Sequence, residues 1–110
     1  MEIWNTDMKN PGILEKAGCD RFCLMEDAAS ATRYLPMHIG FAIARGLSPE
    51  MAMKAVTINA ARLLGLSDRI GSIEVGKDAD LAIWSGDPFS NFTLCEKTMI
   101  DGVIYENTNA

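Results

Sequence analysis

Histidine and cysteine, the side chains most typical of zinc sites, are scarce in this sequence. Its 110 residues include one histidine, His38, and three cysteines, Cys19, Cys23 and Cys95. Three is an odd number and no C-x-x-C pair occurs, so reduced thiols are expected rather than a disulfide framework. Cys19 and Cys23 lie four apart, but a structural zinc site needs four ligands. We interpret these cysteines as small buried hydrophobic residues and assign His38 no chemistry.

Basic residues and long hydrophobic runs are also few. Ten lysines and arginines against 15 acids give a formal net charge of −5, so binding to nucleic acid or to an anionic membrane is not expected. No 18-residue apolar stretch occurs, and no basic segment with an apolar run opens the chain. The sequence therefore predicts no membrane span, no secretion signal and a cytoplasmic location.

Turn and strand signals are densest in residues 70–88, IGSIEVGKDADLAIWSGDP. Residues 73–75 and 80–85 are predicted to form two short strands joined by a tight turn at Gly76. The second is apolar on both faces, so we expect it to be covered on both. Further on, Asp101-Gly102 is a pair favoured in type I′ turns and predicts a β-hairpin.

Helix signals fill much of the first 66 residues. Residues 13–17 predict a short helix ended by Gly18, and residues 36–45 a second one ended by Gly46. In the second helix, helical spacing predicts a packed side made of Met37, Phe41 and Ala44. Ser48, followed by Pro-Glu, is the clearest N-cap in the sequence.

Two polar signals accompany these helices. Asn59 is predicted to cap a short helix that Gly65 ends. Residues 21–25, RFCLM, predict a short buried strand, and the acidic pair Glu26-Asp27 follows it directly. From the residues alone, such a pair is most often a solvated turn or an N-cap.

The stretch GSIEVGKDADLAIW, with GDP after it, resembles the metal-dependent amidohydrolases, and their imidazolonepropionase-like branch in particular. P-x-x-L-x-x-A-G, G-L-S-P-E and T-I-N-A-A-R-L-L-G extend the resemblance over about residues 10–106. It implies an α/β fold in two parts. Residues 1–66 would be the last strand and following helices of a (β/α)8 TIM-type barrel, and residues 67–110 the C-terminal strands of a small β-sandwich. A complete barrel needs roughly 250 residues, so the chain is predicted to be a C-terminal fragment.

The resemblance implies a hydrolase that cleaves C–N bonds in small-molecule amides or cyclic amides. In that family the eighth strand commonly ends in an aspartate that binds the metal, zinc above all, and takes a proton from the attacking water. By alignment this catalytic and metal-binding role falls on Asp27, with Glu26 as the neighbouring alternative. The chain departs from the pattern at Ala28-Ala29, where relatives often continue with His and Pro, which puts substrate contacts in question.

Most of the family's metal ligands are absent from these 110 residues, including the H-x-H pair, the bridging lysine and two later histidines. The isolated chain is therefore predicted to bind no catalytic metal and to be inactive, with the metal held by a longer parent enzyme. The alternative is a free-standing, non-catalytic interaction or assembly module. Since the resemblance places the missing sandwich strands elsewhere in the parent, the chain alone is expected to be a homo-oligomer.

Overall fold

The computed structural model describes residues 7–108, in which short helices come first and a small sheet follows. The helices are α1 (Asn10–Lys16), α2 (Leu35–Ala44), α3 (Pro49–Val56) and α4 (Ile58–Leu63), with a 3₁₀ turn, Thr32–Tyr34, directly before α2. The strands are β1 (Leu81–Trp84), β2 (Cys95–Ile100) and β3 (Val103–Glu106). This combination confirms the predicted α/β class. None of the helices in the described range is long and apolar enough to cross a bilayer.

The start of α3 lies where the sequence predicts it. Ser48 Oγ accepts a hydrogen bond from the Met51 amide at 3.1 Å, and a proline opens the helix. Ser48 is itself held by Glu15 of α1, whose carboxylate accepts from Ser48 Oγ at 2.5 Å and from Ser48 N–H at 2.8 Å. These two hydrogen bonds lower the pKa of Glu15 below its ordinary value of 4.5. One side chain thus caps α3 and ties α1 to it.

The packed side of α2 differs from the prediction. The buried core cluster draws on α2, the turn after it and α3, and consists of Ile39, Ala42, Leu47 and Ala52. Phe41, which helical spacing places on the packed side, is 45% exposed, and Ala44 is exposed as well. The sequence LPMHIGFAIA is apolar on almost every side, so helical spacing alone does not select the face that packs.

The predicted strand RFCLM does not form. Its backbone makes no ladder, and only single hydrogen bonds fasten it to the helices. The Leu24 amide donates to the Ala55 carbonyl at 3.1 Å. Asn59 Nδ2 donates to the carbonyls of Asp20 and Phe22, each at 3.0 Å. A strand needs a neighbouring strand for its ladder, and within the described range none lies beside this segment.

Asn59 is therefore not the cap that the sequence predicts. It lies inside α4, is 2% exposed, and its side-chain amide donates hydrogen bonds to the backbone of Asp20 and Phe22. The residue at the N-cap position of α4 is Thr57, whose side chain makes no capping hydrogen bond. Gly65 follows α4 with a φ of 71°, in agreement with its predicted role as the end of this helix.

The sheet is an antiparallel meander in the order β1-β2-β3. The β2–β3 hairpin is confirmed, and its two-residue turn, Asp101-Gly102, has φ values of 50° and 79°. Leu81 of β1 pairs with Met99 of β2, and the register shifts at the end of β1. Both β1 and β3 have an outer side without a partner strand in the described part of the chain.

Two expectations for the first half of the sheet are wrong. Residues 73–75 form no strand: the first two have irregular backbone and a turn begins at Val75, with Lys77 Nζ 2.8 Å from a Glu74 carboxylate oxygen. The β1 strand is also not covered on both faces, because Ala82 is exposed and Ile83 is 38% exposed. Within residues 7–108 no second layer of strands packs on this sheet.

Candidate functional site

The two acids after RFCLM, adjacent in the sequence, have different surroundings in the structure. Glu26 is half-buried, and one of its carboxylate oxygens is hydrogen-bonded to Nδ1 of His38 on α2. Asp27 is exposed, and its carboxylate has no hydrogen bond or ion pair with any residue between positions 7 and 108. One acid is thus engaged by the protein, whereas both oxygens of the other are open to a ligand or to water.

His38 is the partner that sequence reasoning missed. Its side chain is 31% exposed, and its ring stacks on that of Phe41 with centroids 6.2 Å apart and planes 30° apart. Glu26 lies twelve positions earlier, across a loop, so no helical or strand spacing links the two. The only signal available in the sequence was a lone histidine on an otherwise apolar helix.

The loop after Asp27 is ordered by its own turns. The Ala31 and Thr32 amides donate to the Ala28 carbonyl at 2.9 and 3.1 Å, and Tyr34 donates to Ala31 at 2.8 Å. The Ala28-Ala29 departure therefore begins a turn that leads into the 3₁₀ segment. Asp27 stands at its start without capping it, so the N-cap interpretation of this acid is not supported.

No cluster of three or more histidine, cysteine, aspartate or glutamate side chains that could hold a metal occurs in the described residues. Cys23 and Cys95 are half-buried, but Cys19 is exposed, which corrects its interpretation as a buried residue. A surface cavity of about 540 Å³ lies at the other end of RFCLM, and its lining residues are Asp20, Arg21, Asn59, Arg62 and Leu63. That cavity includes neither acid of the candidate site.

Comparison with known sequences connects this arrangement to one family. A model described as "Amidohydrolase family" matches residues 6–106. An imidazolonepropionase of Sphingopyxis alaskensis is 61% identical over 44 residues, which cover 39% of this chain and 11% of that protein. An imidazolonepropionase of Shewanella baltica strain OS185 is 46% identical over 50 residues, covering 46% of this chain and 12% of that protein. The matched regions thus span only about a tenth of the length of these curated relatives.

Comparison of structures gives a match over nearly the whole chain. The crystal structure of an amidohydrolase from Thermotoga maritima MSB8 superposes with a TM-score of 0.90 at 38% sequence identity. The match covers 97% of this chain and 28% of that protein. The helices, the small sheet and their relative placement are therefore shared with part of that larger structure.

Proposed function

This chain belongs to the amidohydrolase family, and from that membership we propose that it is the C-terminal part of a longer hydrolase. The parent enzyme would cleave C–N bonds in small-molecule amides or cyclic amides. Similarity to proteins named imidazolonepropionase, and to about a quarter of the Thermotoga amidohydrolase, supports this proposal. The proposed setting is cytoplasmic, without nucleic-acid or membrane partners.

The proposed division of the chain follows its secondary structure. Residues 1–66 would contribute the last strand and the following helices of a (β/α)8 barrel, and residues 67–110 the last strands of a β-sandwich. The described helices end at Leu63 and the strands begin at Leu81, which supports a boundary between them. In a closed barrel the RFCLM segment would have neighbours on both sides and could form the ladder that it lacks here.

Asp27 is proposed as the catalytic and metal-binding residue. The observation that carries this choice is its open carboxylate at the end of RFCLM, next to a glutamate whose oxygen is already bound to His38. Barrel enzymes place their reactive groups at the carboxyl ends of strands. An ionised carboxylate there can ligate a cation with one oxygen and accept a proton from a nearby water with the other.

A divalent metal, zinc above all, would supply Lewis-acid activation of that water when bound. Asp27 fits such a group chemically, because carboxylate oxygens are zinc ligands and nothing described occupies them. A catalytic zinc site uses three protein ligands, however, and residues 7–108 bring no three together. This part of the chain therefore fits one ligand position, and the others would come from further residues of the parent.

The test is kinetic and uses the longer enzyme. Asp27→Asn is expected to lower kcat by about 100-fold or more, because general-base catalysis contributes roughly 10² to 10⁴. Asp68→Asn, which also changes an exposed acid, is the matched control and should leave turnover unchanged. Full activity of Asp27→Asn beside an inactive Glu26→Gln would move the role to Glu26.

The alternative function is a free-standing interaction or assembly module. It is favoured by the absence of a metal cluster in the described residues and by the uncovered sheet. Both interpretations predict that the purified 110-residue chain holds no catalytic metal, and metal analysis after dialysis tests this shared expectation. We expect less than stoichiometric metal and no amide hydrolysis. One tightly held zinc per chain, with hydrolysis abolished by a chelator, would show instead that the chain builds a complete site by itself.

A further inference from the structure

Glu26 and His38 form a contact to which the proposed function assigns no role of its own. Among the described residues it is the one hydrogen bond between the RFCLM-Glu26 stretch and α2. Its two side chains are 20% and 31% exposed, so both are partly shielded from water. Hydrogen bonds to ionised groups are stronger than neutral ones, and partial burial reduces their competition with solvent. This contact can therefore fix the position of its neighbours.

The residue whose position this contact can fix is Asp27. It follows Glu26 directly, so the two Cα atoms are roughly 3.8 Å apart. Upstream, the backbone is anchored by the bond between Leu24 and Ala55. Downstream, residues 28–34 make turn hydrogen bonds only with one another until α2 begins. Without the Glu26–His38 bond, no polar contact within the described structure would hold the chain between Leu24 and α2.

We propose that Glu26 and His38 are a positioning pair that holds Asp27 in place at the candidate site. This proposal rests on the catalytic role proposed for Asp27. The Glu26 carboxylate accepts from Nδ1–H of His38, and the stack on Phe41 limits rotation of the ring. The loop that carries the reactive acid is thereby fastened to a helix whose other side lies in the core.

The hydrogen bond between Glu26 and His38 should be visible in the tautomer of the His38 ring, which a purely apolar packing contact would not select. An acceptor at Nδ1 selects the tautomer with the proton on Nδ1 and leaves the lone pair on Nε2. His38 is the only histidine of the chain, so a sample labelled with ¹⁵N-histidine reports this one ring. When the ring is neutral, the wild-type proton is expected on Nδ1, and Glu26→Ala should shift it toward Nε2.

Hydrogen exchange measured by mass spectrometry gives the second readout. Glu26→Ala should speed exchange of the hydrogen-bonded loop amides, those of Ala31, Thr32 and Tyr34, about tenfold, the loss expected for one charged hydrogen bond. Glu26→Gln keeps an acceptor oxygen and should retain part of the protection. Glu96→Ala, an exposed glutamate on β2, is the matched control and should change neither readout. Exchange in α3 should stay the same in all variants.

A wild-type ring in the Nε2–H form would overturn the proposal, as would unchanged exchange at Ala31, Thr32 and Tyr34 in Glu26→Ala. Faster exchange throughout α3 would also overturn it, because the pair would then be a general stability contact. Neither measurement needs substrate or metal. In the longer enzyme, Glu26→Ala should lower kcat about tenfold at unchanged KM. If Asp27→Asn is inactive but Glu26→Ala is fully active, the positioning role falls and the proposed function stands.

Discussion

Asn59 is the position at which one substitution should test the described packing most directly. Its amide donates to two backbone carbonyls of the RFCLM region, those of Asp20 and Phe22, and the side chain is 2% exposed. Asn59→Ala removes both donors at once. A hydrogen bond contributes about 0.5–1.5 kcal/mol net, so the variant should lose about 1–3 kcal/mol of unfolding free energy.

The chemistry of the replacement sharpens this test. Asn59→Asp has nearly the same shape, but an ionised carboxylate has acceptors only and would face two carbonyl oxygens. It should therefore destabilise more than Asn59→Ala, by more than about 3 kcal/mol, since a buried unpaired charge costs more than a lost bond. Against a typical total of about 5–15 kcal/mol, either loss is large.

Urea unfolding at one fixed protein concentration measures both values, because association would otherwise shift the midpoint. Asn91→Ala, in an exposed loop, is the control and should stay within about 0.5 kcal/mol of wild type. If Asn59→Asp proved as stable as wild type, the two carbonyl contacts could not be what holds RFCLM to α4. Equal stability of Asn59→Ala and Asn91→Ala would refute the reasoning as well.

Three further outcomes are expected. The hydrogen bonds from Ser48 lower the pKa of Glu15, so the ionised carboxylate adds to the free energy of unfolding at pH values above its unfolded pKa of 4.5. This added stability is lost as the pH falls through the lower pKa of the folded state. Glu15→Gln should therefore flatten the acid side of a curve of stability against pH. Gly40→Ala should destabilise the protein although alanine has the better helix propensity, because the added Cβ would lie 2.7 Å from the Phe89 carbonyl oxygen. Calorimetry would show a lower Tm. Size exclusion with light scattering should show dimers or larger species of the wild-type chain. Tyr105→Lys, on the exposed β3 strand, should shift the distribution toward monomer. A wild-type monomer at ~100 μM would contradict the expected association through open strand edges.

Features set by neighbouring residues were predicted well. Asp101-Gly102 specifies its hairpin because the turn needs left-handed backbone at both positions, which glycine and aspartate tolerate. Ser48 caps α3 because its hydroxyl reaches an amide three residues later. Each of these interactions closes within a few residues, so the pattern of the sequence already contains both partners.

Features that depend on distant partners were not predicted. RFCLM has the composition of a strand, but a strand forms only beside another, and the described residues provide helices there instead. Asn59 has the chemistry of a cap, yet its acceptors lie up to 39 positions away. At the candidate site, the sequence selected the acidic pair through resemblance alone. It gave no reason to join Glu26 to His38, and so it could not distinguish an engaged glutamate from an open aspartate.

The meander also bears on the order in which the chain folds. Its two hairpin strands are joined by two residues, and hairpins of this kind form in roughly 1–10 μs. The contacts that close the helical part join residues 33 and 39 positions apart, so their loop-closure entropy must be lost first. The sheet should therefore form early, while the outer edges of β1 and β3 have no partner strand among the described residues. During refolding, these open edges could pair with another chain before the helical part has folded, so association between chains would compete with folding at this stage.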